Sequence, residues 1–266
     1  MDPRTRRQLL EISRTFYAAH AAHFDASRGH HAWPGWQRWI EWLPTAASAH
    51  AEGAGHRPLR VLDVGCGNAR LATFLAGETE DTGGLEYLGV DANAALLDSA
   101  RARLAPELAA CCELSRLDFL AGTTPGHELP QGPFDLAAVM GVLHHVPGAD
   151  WRLALLRAAA ARLDRDGMLA LATWQFDDRE RFAPRHVDWA ELGPVLGEPV
   201  DPAMLEPGDR LLRFGDDPTA PPRYCHQVCE AEFESWPEGV GLEPLEQYFA
   251  DGAEGNLNRY WILRRS

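Results

Sequence analysis

The sequence predicts a doubly wound, mostly parallel α/β sheet of seven strands. Three observations predict it. Short apolar runs ending in an acid or glycine alternate with helical stretches from residue 59 to residue 173. Such a rhythm is that of βαβ units, whose parallel strands are buried on both faces. Two glycines stand directly after the first run, in Val61-Leu-Asp63-Val-Gly65-Cys-Gly67-Asn-Ala69. Two further strand-like runs close the chain near 242–249 and 258–265.

The elements follow in order. Residues 1–50 read as a helical cap, with Leu9, Ile12, Phe16 and Tyr17 at helical spacing. Trp33, Trp36, Trp39 and Trp42 recur every third residue between Pro34 and Pro44, which predicts one side of a short helix docked on a core. A polar linker covers 51–58. The core, 59–175, starts with the strand Leu59–Asp63 and a helix over 69–76. The strand Leu88–Asp91 and a helix over 93–104 follow, with Leu96, Leu97, Ala100 and Leu104 on one face. A third strand is expected at 111–117, a fourth at Phe134–Met140, a helix at 150–163 and a fifth strand at Gly167–Thr173. Between 176 and 222 eight prolines, from Pro184 to Pro222, exclude long regular elements. The stretch 176–228 therefore reads as an insertion over the top of the sheet. A helix at 229–236 and the two late strands complete a single domain over 1–266.

Composition narrows the function. Hydrophobic residues at 45% and charged residues at 24% are ordinary for a globular chain. No apolar run reaches the roughly 18 residues of a membrane span. The N-terminus carries no apolar signal segment, so no membrane partner and a cytoplasmic location are expected. The formal charge is −14, and every basic residue is arginine. That fits codon bias or a need for guanidinium forks. It opposes a non-specific nucleic-acid binder, although Arg4, Arg6, Arg7, Arg264 and Arg265 could form a local phosphate face. Five irregularly spaced cysteines fit a reducing compartment. Cys225 and Cys229 resemble half of a zinc site, but no second Cys/His pair matches them, and no metal is expected.

The glycine turn carries the chemistry. It allows a tight bend and a close backbone approach, and the next helix offers free N–H groups to a ligand. A dinucleotide fingerprint would want a third glycine at position 70, where Arg70 stands. Asp63, just before the first glycine, suits an ammonium better than a pyrophosphate.

At this point the sequence resembles the class I S-adenosylmethionine-dependent methyltransferases over at least 59–173. The resemblance implies S-adenosyl-L-methionine as cofactor and a Rossmann-like methyltransferase sheet. It implies that Asp63, Gly65, Cys66, Gly67 and Asn68 form the cofactor turn. Asp91 would hold the ribose with Ala92 beside it, and Asp118 and Phe119 would meet the adenine. Met140 and Trp33 are also expected at the cofactor. A narrower resemblance is to the wobble-uridine tRNA methyltransferases, which esterify a carboxymethyl group. It rests on Phe24-Asp-Ala-Ser27-Arg28-Gly-His-His-Ala-Trp33-Pro34, on His144-His145, on Thr173-Trp174, on Arg223-Tyr-Cys-His226 with Glu230 or Glu232, and on Asp251-Gly252 with Asn256-Leu-Asn258-Arg-Tyr260. It implies a small activating subunit and tRNA as acceptor. A carboxylate acceptor is already ionised and needs an orienting cation, for which Arg28 is the first candidate and His226 the second. A hydroxyl or amine acceptor would need a base, for which His144 or His145 is expected. A small-metabolite methyltransferase and a non-catalytic cofactor-binding subunit are the alternatives.

Overall fold

The computed structural model describes residues 1–28, 31–43, 57–80, 83–177, 180–214 and 220–266, without the side chains of residue 22 and residues 24–28. The side chains of residues 24–28, Arg28 among them, all of residues 29–30, and residues 44–50 and 51–56 of the expected cap and linker therefore lie outside the described positions.

The main sheet has seven strands: β1 Leu59–Val64, β2 Leu85–Asp91, β3 Cys112–Arg116, β4 Phe134–Met140, β5 Leu163–Trp174, β9 Glu243–Ala250 and β10 Asn258–Arg264. Their spatial order is β3-β2-β1-β4-β5-β10-β9. Strands β1 to β5 pair in parallel, and β10 runs antiparallel between β5 and β9. This is the expected seven-stranded, mostly parallel sheet. Helices α2 Pro34–Trp39, α3 Arg70–Thr79, α4 Ala94–Arg103, α5 Pro106–Ala109, α6 Ala149–Ala160 and α7 Glu230–Val240 accompany it.

Alternation of side chains across the strands makes two cores. Leu62, Ala137, Val139 and Leu169 face one way and pack with Leu155 and Leu156 of α6 and Phe233 and Trp236 of α7. Val61, Leu136, Ala138 and Met168 face the other way and meet Leu71 and Leu75 of α3, Leu97 of α4 and Trp36 and Trp39 of α2. Of the four spaced tryptophans, Trp36 and Trp39 are thus the core-docking pair, and Trp42 lies past the end of α2 in a 3-10 turn, its Nε1 donating to Glu246 at 3.1 Å.

Helix α1, Pro3–Arg28, starts at a capping aspartate: Asp2 Oδ1 accepts from the N–H groups of Arg4 at 2.9 Å and Thr5 at 3.1 Å. Its apolar stripe docks on a second, antiparallel sheet formed by β6 His186–Val187, β7 Asp209–Leu212 and β8 Arg223–His226. Leu9 and Ile12 meet Val187, Leu211 and Tyr224 there. The insertion is therefore more regular than its prolines suggest, because each strand is short enough to fit between them. The helix expected at 229–236 runs on to Val240, carrying Pro237 inside.

Candidate active site

The carboxyl ends of β1 to β5 open into one cavity of about 800 Å³, beneath α1, α2 and the insertion. Ligands of doubly wound sheets bind at this edge, where the strand order reverses between β1 and β4.

Backbone geometry builds the floor. Gly65, Gly67 and Ala69 all take left-handed φ values, +78°, +55° and +57°. A Cβ at Gly65 would lie 2.4 Å from Cγ2 of Val142, so the loop after β4 closes on the turn only because no side chain is there. A Cβ at Gly67 would meet nothing within 4 Å, which leaves the turn open above it.

Asp91 closes β2 and joins it to the turn. Its Oδ2 accepts from the Gly67 N–H at 2.9 Å and its Oδ1 from the Asn93 N–H at 2.8 Å. Burial pushes this carboxyl upward, against those two hydrogen bonds. A carboxylate offers about four lone-pair sites, so each oxygen keeps one for a ligand hydroxyl. Asp63 is almost fully buried and accepts from the Tyr87 hydroxyl. Burial pushes it up to about 7, and the nearby Asp91 charge adds to the shift while the Tyr87 bond opposes it. A cation brought to this carboxylate would reverse the shift. Burial also pushes the Cys66 thiol up, which fits a packing residue.

Asp118 receives two donors: Leu120 N–H at 3.1 Å and Arg14 Nη2 of α1 at 2.6 Å. A base amino group would have to share Oδ2 with Arg14. Phe119, Asn68, Ala92, Met140 and Trp33 all line the cavity. Arg70, the residue that breaks the dinucleotide fingerprint, holds its guanidinium 5.6 Å from the Trp33 ring.

The β4–β5 side of the cavity carries His144, His145, Trp174 and Arg223. The His145 ring is fixed at both nitrogens. Nδ1 lies 2.8 Å from the Tyr224 carbonyl, which only accepts, so Nδ1 carries the proton. In the neutral ring Nε2 accepts from the Tyr17 hydroxyl of α1 at 2.9 Å.

His226 corrects the sequence expectation. It is not among the residues lining the cavity but is buried on β8, its Nδ1 2.7 Å from Asp209 Oδ1. Arg152 and Glu232 complete the cluster: Arg152 Nε donates to Glu232 at 2.6 Å and its Nη2 to Glu206 at 2.8 Å. Glu206, Asp209 and His226 bring ligand-type atoms within 4.8 Å of one another, and Arg152 supplies the positive charge beside them. This cluster ties the insertion to α6 and α7. The two-residue offset between Arg223 and Cys225 or between Tyr224 and His226 follows strand alternation, which puts Arg223 at the cavity and His226 in the cluster; a strand assignment for 223–226 was the missing signal.

Three of the five terminal arginines expected at a phosphate face have partners within the protein. Arg4 pairs with Glu198 and Arg6 with Asp150, and Arg265 donates to the Leu163 carbonyl at 2.6 Å. Sequence reasoning also missed Ser13, Arg14 and Tyr17 as cavity residues, since α1 reaches the site only through tertiary packing.

The comparisons agree with this architecture. Residues 62–169 match a family model described as a methyltransferase domain. No curated protein matches the chain. Among solved structures, a 1,6-didemethyltoxoflavin-N1-methyltransferase from Burkholderia thailandensis shares 18% identity at a TM-score of 0.59, over 100% of this chain and 91% of that one. An S-adenosylmethionine-dependent methyltransferase from Methanosarcina mazei shares 18% identity at a TM-score of 0.56, over 80% and 94%. A magnesium protoporphyrin IX methyltransferase from Synechocystis PCC 6803 with bound SAH gives 18% and 0.52, over 95% and 86%. Residues 62–169 thus match a methyltransferase domain, and the chain shares its fold with S-adenosylmethionine-dependent methyltransferases. No helix of the described residues is long and apolar enough to cross a membrane.

Proposed function

We propose that this methyltransferase acts on a small acceptor bearing a carboxylate. The observation that carries the proposal is that one cavity is lined both by the glycine turn and Asp91 and by His144, His145, Trp174 and Arg223.

The residues present fit the cofactor. The volume lies within the roughly 300–1,000 Å³ of ligand pockets. The turn is open at Gly67, Asp91 has acceptor capacity for two hydroxyls, and Asp63 is a buried carboxylate suited to an ammonium. Asp118 and Phe119 would take the adenine, with Trp33 and Met140 along the walls. When bound, S-adenosylmethionine supplies a methyl group activated by its sulfonium. The chain's own part is to position the acceptor and exclude water. Helices α1 and α2 cover the cavity, and Trp33 and Trp174 present apolar walls to it. A carboxylate acceptor is ionised at neutral pH, so no side chain has to remove a proton. His145 fits a positioning role, since both of its ring nitrogens are engaged within the protein. Arg28 stands as a further candidate at the end of α1.

A second reading is wobble-uridine tRNA as acceptor, with a small activating subunit as partner. It is favoured by one observation: Trp33, Pro34, His144, His145, Arg223, Asp251, Gly252 and Asn258, which come from the motifs of that resemblance, all line the same cavity. The net charge of −14 and the paired terminal arginines favour the small acceptor. Incubation with S-adenosylmethionine and either a metabolite extract or tRNA, followed by mass spectrometry, separates the two. A methyl gained only by small carboxylic acids supports the proposal; a methyl gained only by a tRNA nucleoside replaces it.

A further inference from the structure

Among the described residues, the buried arginines are matched to acids, with one exception. Arg152 is fully buried and bonds Glu206 and Glu232, Arg259 bonds Glu230, and Arg6 bonds Asp150. Arg223 is 4% exposed, and among the described residues no carboxylate lies within ion-pair distance of it. Its Nε is buried without a hydrogen-bond partner. The guanidinium lies 4.5 Å from the Trp174 ring and 5.5 Å from the Phe16 ring. Ring faces attract a cation but do not satisfy its N–H edge. Burying an uncompensated charge is costly, and proteins retain one where a counter-ion arrives with a ligand or where chemistry needs it.

Arg223 lines the cavity together with His144, His145, Trp174 and the glycine turn. We propose that Arg223 forms an anion subsite that takes the carboxylate of the methyl acceptor. This rests on the function proposed above and names the residue that recognises the acceptor. A planar guanidinium presents parallel N–H groups that match a carboxylate bidentately. Stacking against Trp174 holds that plane, so little side-chain freedom is lost when the anion binds. One guanidinium balances the single charge of a carboxylate. The sequence leaves Arg223 as one letter of a motif; its burial with an unbonded Nε and no acid partner gives it a task.

Benzoate, with benzamide as its uncharged counterpart, probes the subsite by calorimetry, with and without S-adenosylhomocysteine. Wild-type protein should bind benzoate about tenfold or more tightly than benzamide, the scale of a charged hydrogen-bonded contact. Arg223→Gln should abolish that preference while S-adenosylhomocysteine binding persists. Equal binding of the two probes to wild type, no benzoate binding, or an undiminished preference in Arg223→Gln overturns the proposal. If Arg223→Gln does not fold, Arg223→Lys is read instead: a preference weaker than wild type supports the subsite, and an unchanged one overturns it. Loss of S-adenosylhomocysteine binding in wild type would speak against the proposed function, while the benzoate preference speaks to the subsite alone.

Discussion

The Tyr17 hydroxyl lies 2.9 Å from Nε2 of His145 and joins the N-terminal helix to the loop after β4. The lone pair a general base would use is therefore engaged within the protein. Tyr17→Phe and His145→Gln should lower turnover by far less than the roughly hundredfold or more expected on losing a general base. The pH profile of kcat should show no rise attributable to an essential histidine. A loss of several hundredfold in either folded variant would point to a hydroxyl or amine acceptor.

Asp91 should be the main determinant of cofactor affinity. Asp91→Ala removes both acceptor oxygens and also strands the Gly67 and Asn93 N–H groups. Binding of S-adenosylmethionine should weaken by about 1.5–3 kcal/mol, the scale for charged hydrogen bonds. Calorimetry on the folded variant checks this, and unchanged affinity would remove Asp91 from the site.

Asp63 should make cofactor binding depend on pH. Its folded value of about 7 lies above the ordinary 3.8, so it is partly protonated in the free protein near neutrality. Only the ionised form attracts an ammonium. Affinity for S-adenosylmethionine should thus fall as pH drops below about 7, by up to about tenfold per pH unit. The sign for stability is opposite: burial opposes ionisation, so the free protein loses stability as pH rises from the carboxylate range through about 7. Asp63→Asn should flatten the binding profile; a profile as steep as wild type would place the titration elsewhere.

The buried cluster around His226 should act on stability and not directly on chemistry. The Asp209 and Glu232 contacts raise the His226 value despite burial, and His226 and Arg152 hold Glu232 down to about 2. The raised histidine contributes stability that is complete below its ordinary value and is lost as pH rises through the raised one. The Glu232 contribution is present above its ordinary range and lost as pH falls toward about 2. Glu232→Ala removes one acid partner from Arg152 and from His226, which keep Glu206 and Asp209, and should cost about 1.5–3 kcal/mol. Thermal unfolding would show this as a Tm lower by roughly 2–4 °C per kcal/mol. An unchanged Tm would mean that the cluster is not coupled to folding.

The fold and the strand-edge floor of the cavity were legible because their constraints are local. Gly65 and Gly67 announce a left-handed turn, and Asp91 and Asp118 stand at or just beyond strand ends where the register puts them in the cleft. The acceptor side was not legible in the same way. Arg14 and Tyr17 look like any helix surface until α1 is folded over the sheet. His226 and Arg223 differ only by strand alternation, and the surrounding prolines concealed that strand.

The most direct measurement follows a labelled methyl group. Wild-type protein, S-adenosylmethionine carrying a deuterated methyl and a pool of small carboxylic acids are incubated, and the products are examined by mass spectrometry before and after mild base. The label should enter an acceptor as a methyl ester that base removes, and Asp91→Ala should slow its appearance. Label that survives base would indicate nitrogen or ether oxygen as acceptor atom. Cofactor binding with no label transferred to these acids or to tRNA would contradict catalysis and leave a cofactor-binding subunit in its place.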